Sequence, residues 1–318
     1  MDSNVPPQLL NPLASDIDTT EPPSLQHGVP RDLELDLRAY GSQVIHRLGR
    51  LLSLPQSLTA TAQVLFQRFW YTTSFTQFSC LDVAAAAVFL SSKLDEYPIR
   101  LRDLINCFDF VLQLHRYKSQ NSGEPLPWTN MKPECHSASP NAFTYQPHSY
   151  HSDTFYEYKD SLVIHEMQLL KRLGFQTEAL LPYSTLVNYL QVLGFGRDQK
   201  VVQECWACCS DMLQTPLPAL LPPHILSVAA IYFLSIQSDH PLNCLPRDPA
   251  PWWTLFDARI EELRVACAWL KRLHDKENGT ASRVREQWGG LVHLAKKESL
   301  RRWLQERDQG GGDTDAIV

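Results

Sequence analysis

Apolar residues recur at intervals of three and four through Leu37, Tyr40, Val44, Leu48 and Leu51, the stripe of an amphipathic helix, and Pro55 lies just beyond its end. A second helix is expected in SLTATAQVLFQRFWYTTSF, with Ser57 as its N-cap and Ala62, Leu65, Phe66, Phe69 and Trp70 on its apolar side. The third ends in AAAAVFLSSKLDEYP, residues 84–98, and is apolar on every face until Lys93 and the acids that follow. A fourth, IRLRDLINCFDFVLQLHRY, starts just after Pro98, which separates it sharply from the third. Thr154 and Glu157 have capping-box spacing for a fifth helix that runs to HEMQLLKRLGF. There Lys171 and Arg172 occupy the last turn, and Gly174 suits a left-handed C-terminal cap.

The pattern then restarts. LPYSTLVNYLQVLGF, KVVQECWACCSDMLQ, HILSVAAIYFLSIQ, PWWTLF and RIEELRVACAWLKRLHD make five further helical segments, most of them separated by proline, glycine or polar residues. Setting residues 84–93 over 228–237 aligns Phe-Leu-Ser with Phe-Leu-Ser and pairs two alanines with Ala229 and Ala230. Each half therefore reads as the same five-helix unit, whose middle helix is apolar all round because neighbours cover it on every side. Lys93 falls over Gln237, so the charge belongs to the first half only. The expectation is an all-α chain of two tandem units, 31–177 and 178–275.

Three stretches lack this periodicity. Residues 1–30, rich in proline and polar residues, read as disordered. Residues 118–150 read as a long surface insertion within the first unit. Residues 276–318 read as a basic amphipathic helix, with Trp288, Leu291, Leu294 or Ala295, and Trp303 at roughly helical spacing, followed by a disordered tail. This helix is expected to pack on the second unit or to lie loosely solvated. The alternative is a docking site for a partner or RNA, because Lys296, Lys297, Arg301 and Arg302 concentrate charge there.

Composition narrows the possible functions. The formal net charge of -6 argues against a chain that binds nucleic acid through its overall field and favours protein partners. No apolar stretch approaches the roughly 20 residues that cross a bilayer, and MDSNVPPQLL lacks the regions of a signal peptide. A cytosolic or nuclear location without membrane association follows as the expectation. Eight cysteines in 318 residues are no disulfide framework. Cys205, Cys208 and Cys209 have CxxC spacing but no second pair and no nearby histidine, so a helix interior is expected rather than zinc. The sequence has no HExxH, no glycine-rich phosphate loop and no nucleophile context, so neither catalysis nor a cofactor is expected.

Two charges break the apolar pattern. Glu166 sits within the stripe of Leu162, Leu169, Leu170 and Leu173, and an unpaired buried carboxylate would cost several kcal/mol, so it should lie at the edge of the core, reach water or meet a partner. Lys93 borders the stripe of its own helix, three residues after Leu90. In one reading Lys93 complements the helix dipole and Glu166 snorkels to solvent. In the other, both line one surface and bind the backbone of another protein, while Leu94 and Leu170 supply the buried area.

At this point the residues match a known family. Two consecutive five-helix repeats, a central helix ending SSKLDEYP and a fifth helix IHEMQLLKRLGF resemble the cyclins. In that family a lysine near the end of the third helix of the first box pairs with a glutamate on the fifth, and both grip a kinase. The matching positions are Lys93 and, nine residues before Phe175, Glu166. PSLQHGVPRDLELDLRAYGSQVI, QVLFQRFWYTTSF, RLRDLINCF, VNYLQVLGF and APWWTLF resemble segments of the L-type cyclins in matching order, over about residues 23–275. The resemblance implies two cyclin boxes, a cyclin-dependent kinase as partner, a nuclear location, and a role in RNA polymerase II transcription or pre-mRNA splicing. Departures are the long 118–150 segment and the absence of an Arg-Ser-rich stretch, with which the family associates splicing. Other transcriptional cyclins of the K, T or C types are the near alternative. A general transcription factor of the TFIIB type is the remote one, because a zinc ribbon and basic repeats are missing.

Overall fold

In the computed structural model the described residues are 13–15, 20–121, 145, 147–149, 152–237, 240–246, 251–274, 291 and 293–310. Among them the regular structure is helical, with no strand. After a single turn α1 (Pro23–Gln26), the first group comprises α2 (Arg31–Leu51), α3 (Gln56–Phe69), α4 (Cys80–Leu94), α5 (Leu101–Asn121) and α6 (Asp153–Arg172). The second comprises α7 (Tyr183–Val192), α8 (Gln199–Met212), the short α9 (Leu217–Leu220), α10 (Pro223–Ser235) and α11 (Ile260–His274). Helix α12 (Lys297–Gly310) closes the described chain. None of these helices is long and apolar enough to cross a membrane.

Helix α4 is the axis of the first group and packs against α2, α3, α5 and α6. Its alanines, Ala84 to Ala87, are all buried, and small side chains let each neighbour approach closely. Helix α10 takes the same place in the second group, among α7, α8 and α11. The aligned positions agree in burial: Leu90 with Leu234, Ser91 with Ser235, and Ala86 with Ala230 are buried pairs. Close approach is tightest where α2 crosses α3. A Cβ on Gly41 would lie 2.2 Å from Phe66 Cζ and 2.9 Å from Cys80 Sγ.

Two hydrophobic cores result, one per group, and α3 contributes to both. Phe66 and Phe69 enter the first core, while Ala60 and Val64 enter the second. Polar bonds complete the seam. Arg68 Nη1 donates to the Glu178 carbonyl at 2.7 Å, and Gln67 Nε2 to the Gln214 carbonyl at 3.3 Å. Arg272 meets Asp32 at 2.8 Å.

Several local expectations are corrected. Helix α3 begins at Gln56 behind Pro55 with no side-chain cap, so Ser57 lies inside its first turn. Helix α6 is capped by Ser152, whose Oγ accepts from the Phe155 amide at 3.2 Å. Thr154 and Glu157 are therefore already helical, and the spacing read as a capping box falls two residues too late. PWWTLF is a 3₁₀ turn, Trp252–Phe256, held by burial of Trp252 and by Phe256 stacking on Tyr189 at 4.1 Å. Gly174 does adopt the left-handed cap, at φ +59°, and the Phe175 amide donates to the Leu170 carbonyl at 2.9 Å.

The terminal segments also differ. Not all of 1–30 is unstructured: Ser24 is buried, its Oγ accepts from the Phe75 amide, and Val29 enters the first core. One turn is too short to show a period, which is why the pattern missed it. The C-terminal helix begins only at Lys297 and packs on the first group rather than the second, through Leu291, Leu294, Ala295, Leu300 and Leu304. Residues 1–12, most of 118–150, 275–290 and 311–318 lie outside the described residues, and with them Trp288.

Two outcomes test this packing. Gly41→Ala should lower the free energy of unfolding in urea by about 1–3 kcal/mol, because the close approach leaves no room for a methyl group. His274 Nε2 lies 2.9 Å from Asp211 Oδ2, and that hydrogen bond raises the histidine pKa above its ordinary value against the opposing effect of burial. The bond therefore stabilises the fold fully below the unfolded-state pKa of about 6.5 and ceases to do so as pH rises through the higher folded value. His274→Gln should cost more stability at pH 5.5 than at pH 8.5, read from paired denaturation curves.

Candidate functional site

Helix α4 ends at the surface because its last turn leaves the apolar environment. Asp95 caps it and Glu96 takes the left-handed position at φ +53°, with the Tyr97 amide returning to the Ser92 carbonyl at 2.9 Å. This turn lifts Lys93 and Leu94 to the rim. Lys93 keeps 51% of its side chain exposed, whereas Glu166, arriving on α6, keeps 11%. The structure brings the two together: Lys93 Nζ donates to Glu166 Oε1 at 2.5 Å. The ammonium also sits 4.1 Å from the ring centroid of Phe89, one turn back on α4.

Of the solutions open to Glu166, the fold uses the partner. A lysine has three donors and a carboxylate about four acceptor positions, so one mutual contact leaves most of both groups uncommitted. The paired atoms are held in place yet retain hydrogen-bonding capacity toward the outside.

The apolar surroundings divide unevenly. Leu94 is 39% exposed, as the sequence pattern anticipates. Leu170 is only half-buried at the surface and packs against the first core, so it offers less free surface than its neighbours. Larger exposed groups that the pattern did not single out occur on α6 and just after it, Ile164 at 58%, Met167 at 52% and Phe175 at 69%, and Val163 and Tyr97 are exposed as well. Val163, Met167 and Leu170 follow the i, i+4, i+7 spacing of one helix face. Their signal was present in LVIHEM, where apolar residues fall outside the stripe of Leu162, Leu169 and Leu173. Phe175 holds a positive φ of 61° without being glycine, directly after Gly174, and this turns its ring out beside the end of α6.

Other candidate chemistry resolves into structure. Cys205, Cys208 and Cys209 lie on α8 and are buried in the second core. Burial pushes the thiols of Cys205 and Cys208 up to about 12 and that of Cys209 well above the ordinary thiol value, the opposite of what a nucleophile requires. Of the C-terminal cations, Arg301 is committed to the chain itself, its Nε donating to the Thr76 carbonyl at 2.6 Å. At the far end of α6, buried Asp109 accepts from Gln113 and Tyr158 and meets His148 at 3.0 Å. Tyr145 donates to the Asn106 carbonyl at 2.9 Å and the His148 amide to Asn106 Oδ1 at 3.2 Å, so these two residues are anchored on α5. Burial foremost, with the Asp109 carboxylate second, raises the Tyr158 hydroxyl to about 12.

No family model matches the chain. Human cyclin-L2 is 34% identical over 255 residues, which is 80% of this chain and 43% of that protein. Cyclin-L1 of Gallus gallus is 32% identical over 255 residues, 80% and 42% of the two chains, and cyclin-L1 of Danio rerio is 30% identical over 265, 83% and 47%. Over that region the chain belongs to the cyclin family. The cyclin fold is found again in a chain of the yeast RNA polymerase II CTD kinase CTDK-1 complex, at a TM-score of 0.53 and 12% identity, covering 98% of this cyclin and 86% of that chain. This cyclin spans less than half the length of the L-type relatives it matches.

The ion pair can be weighed within this cyclin alone. Lys93→Met should destabilise the fold by about 1–2 kcal/mol, chiefly by stranding the mostly buried Glu166 carboxylate. Adding Glu166→Gln should recover part of that loss, giving a coupling energy of matching sign in a double-mutant cycle read by urea denaturation.

Proposed function

We propose that this cyclin binds and activates a cyclin-dependent protein kinase as its regulatory, non-catalytic subunit. Its site of action would be the nucleus, in RNA polymerase II transcription or pre-mRNA splicing. The observation that carries the reading is the half-exposed Lys93 held against the nearly buried Glu166 among exposed apolar side chains. The L-type names of its relatives favour that subclass over the K, T and C types.

A protein kinase is active when its αC helix is rotated inward, so that a glutamate on it pairs with the lysine of strand β3. A subunit that binds the inward state more tightly shifts the equilibrium toward activity. In this reading Lys93 donates its remaining N–H groups to kinase carbonyls and Glu166 accepts from a kinase amide, which sets the register. Leu94 and Leu170, extended by Ile164, Met167 and Phe175, supply the buried apolar area. Preformed pairing lowers the ordering cost of binding, since neither charged side chain has to be fixed anew. A splicing role rests on the relatives alone.

The test exploits the pair's symmetry. A chain carrying Lys93→Glu and Glu166→Lys together keeps opposite charges in contact and should stay folded, but presents acceptors where the kinase expects donors. Captured from nuclear extract beside wild type, it should lose a co-purifying kinase active on an RNA polymerase II tail peptide, a weakening of about 2–5 kcal/mol. Equal kinase recovery by wild type and the folded swap would refute the docking surface.

A further inference from the structure

The C-terminal segment does more than cover the first core. Leu291, Leu294, Ala295, Leu300 and Leu304 are buried in the first core, although the chain reaches them only after completing the second group. The Ala295 carbonyl sits at the start of α4, accepting the Cys80 amide at 2.9 Å and the Ser79 hydroxyl at 3.3 Å. Ser79 is itself the N-cap of α4, its Oγ accepting from the Asp82 amide at 3.5 Å. The segment thus satisfies a helix-terminal donor that has no partner within α4, and places a carbonyl dipole against the positive end of that helix. Two arginines fasten it to main-chain carbonyls, Arg301 to Thr76 at 2.6 Å and Arg307 to Gly28 at 3.1 Å.

Helix α4 carries Lys93 at its other end. Thirteen residues separate Cys80 from Lys93, about 20 Å along a helix. The helix is alanine-rich where α2, α3 and α6 cover it, so its own side chains reach only a short way into those neighbours. Contact between Lys93 and Glu166 depends on the axial register of α4 against α6. We infer that residues 291 and 293–310 form a positioning strap, which sets that register from the N-terminal end of α4 and so holds the Lys93–Glu166 surface ready for its partner. The kinase consequence rests on the function proposed above; the mechanical coupling does not.

The experiment uses the whole chain. Leu300→Asp with Leu304→Asp should detach the strap, and Arg301→Ala with Arg307→Ala should loosen it while sparing the core. Amide hydrogen exchange is followed at Cys80–Val83 and at Ser91–Asp95, alongside kinase capture. Both pairs should speed exchange at the two ends of α4 together and weaken capture about tenfold, in the usual range of coupling between distant sites. Lys93→Glu should abolish capture without altering exchange at Cys80–Val83. Faster exchange at Cys80–Val83 with Ser91–Asp95 unchanged would overturn the inference, as would no change at either end in the arginine variant. Should wild type capture no kinase, the proposed function falls, while the two exchange readings still decide the strap.

Discussion

A helix with no polar face can exist in water only if other helices surround it, and most of this cyclin's architecture follows from satisfying that requirement twice. Helix α4 needs cover from α2, α3, α5 and α6, and α10 needs cover from α7, α8 and α11. Small side chains on the axis and Gly41 on α2 permit the approach. Enclosure along the sides leaves only the ends of each axial helix to meet something other than their own group. In α10 the exit carries Gln237, and in α4 it carries Lys93. The asymmetry between two similar units is where chemistry becomes possible.

The ends of α4 are treated differently. One is closed by a carbonyl from a distant part of the chain, the other by a carboxylate from a neighbouring helix. The carbonyl is used up by the Cys80 amide and the Ser79 hydroxyl, whereas the Lys93 ammonium is half exposed to solvent. A partner that engages Lys93 and Glu166 therefore meets atoms whose positions the interior of the protein already dictates.

The sequence made the helical groups legible because burial on all sides leaves a pattern that no surface helix shares, and because the same pattern appears twice. Lys93 and Glu166 stood out for the converse reason: a charge in an apolar context demands a partner, and each lies in or beside an apolar stripe of its helix. Ile164, Met167 and Phe175 were not, since an apolar residue is equally at home in a core and on a docking face, and periodicity alone assigns it to the former. The destination of the C-terminal helix was also hidden. Its stripe of Leu300 and Leu304 states that a core is near but not which one, and the choice is made by the Ala295 carbonyl and the two arginine contacts. The turn at Pro23–Gln26 escaped because a single buried serine and a single buried valine make no period.

Arg68 gives the seam between the two groups an unusual form of specification. Its guanidinium is buried, burial lowers its pKa to about 10, and its bond across the seam goes to the main chain at position 178 rather than to a side chain. A backbone acceptor is present whatever residue occupies that position. The linking segment is therefore free to drift in sequence at that position while this contact between the groups stays anchored from α3.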